Sequence, residues 1–176
     1  MADSQTSNSL PAPHLRFSRT FNAYRDLLFD IFTKEDHLLK WWGPKGCEML
    51  VAKMDLRPEG VFHYNFKFPS QPGDGMWGKF VFTEVNKPEK LQFIVSFCDK
   101  DGNIIAHPFS PTWPLEVLST YTFQEEGDKT TVIFESEPHN APETQVETYR
   151  QGLEGLKKGL NGTLDQLDQY LVDLKA

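Results

Sequence analysis

Few polar side chains in this 176-residue chain stand where they could do chemistry, and Arg19 is the first of them. In Leu15-Arg16-Phe17-Ser18-Arg19-Thr20-Phe21 apolar and polar residues alternate, so Arg19 shares the inward phase of a half-buried strand with Leu15, Phe17 and Phe21. A guanidinium on an apolar face needs a carboxylate or water-filled space. Glu48 and Asp55 are the acids expected to face inward or to tie the first two strands together, and a structural ion pair is the favoured use of such groups. If a cavity exists, the same arginine could bind a ligand carboxylate or phenolate. Tyr64, Tyr121 and Tyr149 could add hydrogen bonds to an apolar wall.

No stronger chemical signature is present. The chain has no G-x-S-x-G, no H-E-x-x-H, no phosphate loop and no dinucleotide fingerprint, so no catalytic residue, metal site or cofactor is assigned. The histidines, His14, His37, His63, His107 and His139, show no ligand spacing. His63 falls opposite an aromatic stripe and is expected in solvent. His107 lies in a proline-rich loop and is read first as a turn residue. Cys47 and Cys98 lack C-x-x-C spacing, which argues for two free thiols in a reducing compartment.

Charge and composition narrow the class further. The net charge is −7 with the acids dispersed, unlike the basic stripe of a nucleic-acid binder or an anionic-membrane anchor. No stretch has the apolar length of a membrane span, and MADSQTSNSLPAP has neither the positive nor the apolar region of a signal peptide. The expectation is a cytoplasmic protein with no nucleic-acid partner and no membrane insertion; a homodimer is compatible with the sequence. Residues 1–13 read as a disordered tail and 14–176 as one domain. Aromatic residues make up 13% of the chain, which requires either a ring-filled core or a ring-lined cavity.

The elements that must position these groups follow from periodicity. After the strand at 15–21, Asn22 could cap a helix from Ala23 to Phe32, and Thr33 with Asp36 marks a second start running to about Trp42. Trp41-Trp42-Gly43-Pro44 closes it, and the two indoles are expected to pack in the core. Strands follow at 47–56, 61–68, 76–85, 91–98, 116–123 and 130–136; the inward phase of 76–85 is undetermined. Phe62, Tyr64, Phe66 and Phe68 share one face, as do Leu91, Phe93, Val95 and Phe97.

The loop 106–114, AHPFSPTWP, is stiff and apolar: Phe109 and Trp113 either lid a cavity or cover a sheet edge. A long helix ends the chain, with a capping box at Thr144-x-x-Glu147 and a stripe of Leu153, Leu156, Leu160, Leu164, Leu167 and Leu171. Beside the stripe stand Gly152, Gly155, Gly159 and Gly162. At roughly 0.8–1 kcal/mol each relative to alanine, they lower helix stability by about 3–4 kcal/mol, which close packing or a need for open volume must offset. The sum is an α+β fold: a curved antiparallel sheet of about seven strands wrapped around a long C-terminal helix, with two short helices between strands 1 and 2.

Several of these segments together carry a resemblance. Arg19-Thr20-Phe21, Trp41-Trp42-Gly43-Pro44, Asp55-Leu56-Arg57-Pro58-Glu59-Gly60, Pro88-Glu89-Lys90-Leu91, Phe97-x-Asp99-x-x-Gly102, His107-Pro108, Trp113-Pro114 and Gly159-Leu160-Asn161-Gly162-Thr163-Leu164 resemble homologues of the activator of heat-shock protein 90 ATPase. These belong to the START-like, birch-pollen-allergen-like superfamily of helix-grip proteins. The resemblance spans about residues 14–174. Tyr24 stands where the family usually has proline, Glu59 where it has glycine, and Leu160 where it has tryptophan.

The resemblance implies a cavity between sheet and helix for a lipid- or polyketide-like hydrophobic molecule. Arg19, Tyr64, Phe66, Phe93, Phe97, Trp113, Tyr121, Tyr149, Leu153, Leu156 and Leu160 are the candidate wall residues. It implies as alternatives a co-chaperone-like module acting on a chaperone, or a polyketide cyclase or aromatase. The superfamily has no invariant catalytic set to carry over.

Overall fold

Alternation of rings with polar residues forces the chain from Leu15 onward into strands with one face turned inward. The computed structural model describes residues 10–176. Its elements are β1 (Leu15–Phe21), α1 (Arg25–Thr33), α2 (Glu35–Trp41), β2 (Glu48–Met54), β3 (Val61–Lys67), β4 (Met76–Asn86), β5 (Lys90–Cys98), β6 (Val117–Glu126), β7 (Lys129–Pro138) and α3 (Glu143–Lys175). Strands β2 to β7 form an antiparallel meander, and β1 closes the far edge against β7, giving the order β1-β7-β6-β5-β4-β3-β2. The curved sheet grips α3, as the pattern predicts.

The undetermined phase of β4 is settled by register. Phe80 lies opposite Phe62, and Phe82 opposite Phe93, so Gly78, Phe80 and Phe82 face the core. On β3 the buried face holds Phe62, Tyr64 and Phe66, but Asn65 on the other face is buried too. Its amide donates to the carbonyls of Asp74 and Met76, which satisfies it where β3 enters the loop before β4.

The predicted caps do not form. Tyr24, not Asn22, precedes α1, and Lys34 precedes α2, while the Thr33 hydroxyl donates back to the Phe29 carbonyl at 2.7 Å. Pro142 leads into α3, so Thr144 lies inside the first turn and Glu147 pairs with Arg150 instead of closing a box. Proline suits this entry because its missing N–H is one the helix could not use.

The Trp-Trp-Gly-Pro corner is clasped by α3. The Gly43 carbonyl accepts from Thr163 Oγ1 and from Gln166 Nε2, both at 2.9 Å, and Gln166 also reaches the Trp41 carbonyl at 3.1 Å. Gly43 has φ +104°, and a Cβ there would come within 2.9 Å of Cys47 Sγ, so glycine is required on two counts. Glu59, in the turn between β2 and β3, adopts φ +66°, the left-handed conformation that glycine takes without cost.

The expected tail of residues 1–13 lies outside the described residues as far as Ser9. Beyond it Pro13 is buried and the Pro11 carbonyl accepts from Arg150 Nη1 at 2.9 Å, so this part of the predicted tail is attached to α3.

Candidate functional site

The core is uneven along α3. Leu164, Leu167 and Leu171 are buried with Trp41 and the rings of α1, whereas Leu153, Leu156 and Leu160, nearer the helix start, are only half-buried. The space under that first half is a cavity of about 670 Å³ bounded by the sheet, α3 and the loop 107–113. This is the volume range of small-molecule sites. The lining is mostly apolar, with Tyr64, Phe80, Phe97 and Tyr121 from the sheet, and Leu156 and Leu160 from α3. Exposed Gln151 and Gly155 stand on its rim.

Six of the predicted wall residues therefore come together: Tyr64, Phe97, Trp113, Tyr121, Leu156 and Leu160. The other five do not line it. Arg19 is turned to α3, where Nη2 donates to Asp165 Oδ1 at 2.7 Å and to Asp168, and Nη1 to the Asn161 carbonyl. Phe66 sits one step further along β3, where it packs against Tyr64 and Phe68. Phe93 is fully buried behind the wall, stacked on Phe80 with centroids 4.1 Å apart. Tyr149 supports Trp113 from behind at 5.2 Å and its hydroxyl bonds Ser136 Oγ at 2.7 Å. Leu153 lies off the lining. Glu48 is exposed and Asp55 pairs with Arg57 at 2.9 Å, so neither is the partner expected for Arg19.

Both indoles of the tryptophan corner pack on the core, at different depths. Trp41 is core, its indole N–H donating to the Ile31 carbonyl at 3.2 Å. Trp42 lines the cavity and meets Tyr64 and Phe80 edge to face. Two adjacent residues at a helix end point about 100° apart, so Trp41 is sealed in the core while Trp42 packs on it and also reaches the cavity.

The loop covers the cavity with one of its two rings. Trp113 lines it, whereas Phe109 is 75% exposed. His107 also faces in, with its ring edge-on to Phe97 at 4.4 Å. The Phe109 backbone N–H donates to His107 Nδ1 at 3.0 Å, which makes Nε2 the protonated nitrogen of the neutral ring. Burial lowers the His107 pKa from its ordinary value. His63 is half-buried against Trp77 at 4.7 Å, not solvated as its strand phase suggested.

The glycines divide by use. A Cβ on Gly152 would come within 2.8 Å of the Trp113 ring, while one on Gly155, at the cavity, or on Gly159 would meet nothing within 4 Å. Burial raises the Tyr64 and Tyr121 phenols far above their ordinary pKa, so both stay protonated. It also pushes the Cys98 thiol up to about 11. No group of three or more metal-ligating side chains occurs among the described residues, and none of their helices is long and apolar enough to cross a membrane.

The family model described as Activator of Hsp90 ATPase homolog 1-like protein matches residues 22–172. The chain belongs to this family. Members of the Activator of Hsp90 ATPase homolog 1-like family and similar folds recur among solved structures. A Mycobacterium smegmatis protein is 26% identical with a TM-score of 0.73, over 93% of each chain. A Staphylococcus epidermidis protein is 23% identical with a TM-score of 0.73, over 96% of this chain and 94% of its own. The AHSA1 protein of Silicibacter pomeroyi is 20% identical with a TM-score of 0.64, over 93% of this chain and all of its own. The latter two support the helix-grip fold alone. No curated protein matches the chain.

Proposed function

We propose that this protein binds a small hydrophobic molecule in the cavity beneath the first half of α3. The cavity itself carries the reading: about 670 Å³ lined mostly by rings and leucines has the size and character of a small-molecule site. The glycine at the rim and the half-buried leucines of α3 support the same reading, because side chains that could have filled the space are missing. A cytoplasmic setting suits the two free thiols. A fluorescent apolar probe is expected to bind saturably at one per chain to the native protein, and native mass spectrometry of protein from its own host is expected to show a retained small molecule. Lack of saturable probe binding would sink the proposal.

A second reading, a co-chaperone-like module, draws on the loop 104–115. Ile104, Ile105, Phe109 and Leu115 are all exposed there, and the family's description names an activator of the Hsp90 ATPase. It requires that the protein change a chaperone's ATPase rate, and that Phe109→Ser abolish the change.

A further inference from the structure

The loop 106–114 is fastened on two sides, and His107 is its only titratable side chain. On the α3 side Thr148 Oγ1 donates to Thr112 Oγ1 at 2.9 Å, the Leu115 N–H donates to Gln145 Oε1 at 3.4 Å, and Trp113 lies over Gly152. None of these contacts uses a group that titrates. On the sheet side the Ile105 N–H donates to the Phe97 carbonyl at 3.1 Å, and the His107 ring meets the Phe97 ring edge-on. Only this side carries a proton-sensitive contact.

The imidazole also closes its own turn. Nδ1 accepts from the Phe109 N–H two residues on, the His107 carbonyl accepts from the Ser110 N–H at 3.2 Å, and the Ser110 carbonyl accepts from the Trp113 N–H at 2.9 Å. These bonds link the imidazole to the indole that covers the cavity. They hold only while Nδ1 keeps its lone pair, because an imidazolium carries a proton on both nitrogens and turning the ring over supplies no acceptor. The Phe109 amide, exposed at the loop surface, then turns to water.

Protonation also places a charge where nothing balances it. The other titratable groups of the cavity wall are Tyr64, Tyr121 and Glu135; the residues that α3 and β5 contribute to the wall carry no charge. The two phenols stay neutral. Glu135, on β7, is held by Arg16 at 3.2 Å and by His14 at 3.7 Å. An imidazolium kept against this wall loses hydration without gaining a counter-ion, and it recovers that hydration by swinging out. The lowered pKa of the half-buried ring has the same sense.

We infer that His107 is a proton-operated latch: its neutral ring holds the loop over the cavity, and its imidazolium frees the sheet side of the loop, so that the cavity releases an apolar ligand as pH falls. This rests on the cavity reading above and adds its regulation. A ligand that needs the closed loop binds the neutral form, so its apparent affinity follows the fraction of chains that are closed. That fraction is full above the ordinary histidine range and declines as pH drops toward the lowered folded value.

The test titrates Nile red, an apolar fluorophore uncharged across this range, into the parent, His107→Asn and His14→Gln at pH 7.5 and 5.5, with circular dichroism to establish that each is folded. Asparagine keeps an acceptor for the amide two residues on and takes up no proton. Parent binding is expected to be about threefold or more weaker at pH 5.5. His107→Asn is expected to bind equally at both pH values, whatever that affinity is, and His14→Gln to weaken as the parent does. The Phe109 amide proton resonance of the parent is expected to shift along the same pH curve as binding, which answers the question even where His107→Asn does not fold. A parent affinity indifferent to pH, an equal fall in His107→Asn, loss of the fall in His14→Gln, or a Phe109 resonance that does not follow binding would each overturn the inference. If Nile red binds at pH 7.5 with an affinity that pH leaves unchanged, the latch fails alone. If it shows no saturable binding at pH 7.5, the cavity reading fails with it.

Discussion

Trp113 occupies the space that a side chain on Gly152 would need: a Cβ there would lie 2.8 Å from the indole Cζ3. The loop thus closes on α3 through a glycine, with Tyr149 backing the same indole. Gly152→Leu is expected to push Trp113 off the cavity while gaining up to about 1 kcal/mol of helix propensity. Losing about 60 Å² of apolar cover at 25 cal/mol/Å² weakens binding by about tenfold. Titration of the apolar probe, with tryptophan emission as a second signal, checks both; unchanged affinity would show that Trp113 does not cover the ligand.

Strand phase was legible, whereas depth along the strand was not. Tyr64 and Phe66 share a face, as do Phe93 and Phe97, yet only Tyr64 and Phe97 reach the cavity. The register explains why: both lie opposite Gly78, where a missing side chain leaves room for the Tyr64 ring. A tyrosine across from a glycine was a readable sign once β4 had a register, but register depends on turns whose lengths the sequence does not fix. The inward phase of Arg19 is legible in the alternation of β1, but its partners lie some 146 residues away on α3 and carry no local mark. Cap positions are not legible in the sequence because Ser, Thr and Asn cap motifs recur by chance, and the entry at Pro142 decides where α3 starts.

Arg19→Met separates support from binding. The guanidinium is mostly covered, but Asp165 and Asp168 are each about half exposed, so solvent screens the pairs. The expected loss is about 1 kcal/mol by urea denaturation, shrinking in 1 M salt. Probe affinity should be unchanged, because Arg19 is outside the cavity lining. A tenfold loss of affinity would instead place Arg19 in the site.

His107 predicts a pH dependence. Burial lowers its pKa in the folded protein, so as pH falls through about 6.5 the unfolded chain takes up a proton before the folded one does. Stability from this group is full above that pH and declines as pH drops toward the folded value. Urea denaturation at pH 7.5 and 5.5 is expected to show a smaller fall for His107→Asn than for the parent. An equal fall in both would assign the acid sensitivity to other groups.

Leu160 stands where the family usually has tryptophan, and it lines the cavity. An indole in its place projects from α3 toward the space bounded by the sheet, and the added ring must either displace the wall or occupy volume now open to a ligand. Wall displacement is the harder course, because Phe80 and Phe93 are already stacked and Phe93 is fully buried. Leu160→Trp is therefore expected to keep or raise the thermal midpoint, as cavity filling does, and to reduce binding of the apolar probe at least tenfold. Gly159→Ala supplies the contrast on the same helix: its Cβ would meet nothing within 4 Å, and Gly159 is outside the lining, so about 1 kcal/mol of added stability should come with unchanged affinity. If both variants stabilise and both retain full affinity, the volume beneath α3 is not where the ligand sits. If only Leu160→Trp loses binding, the leucine at this position is what keeps the cavity large enough to use.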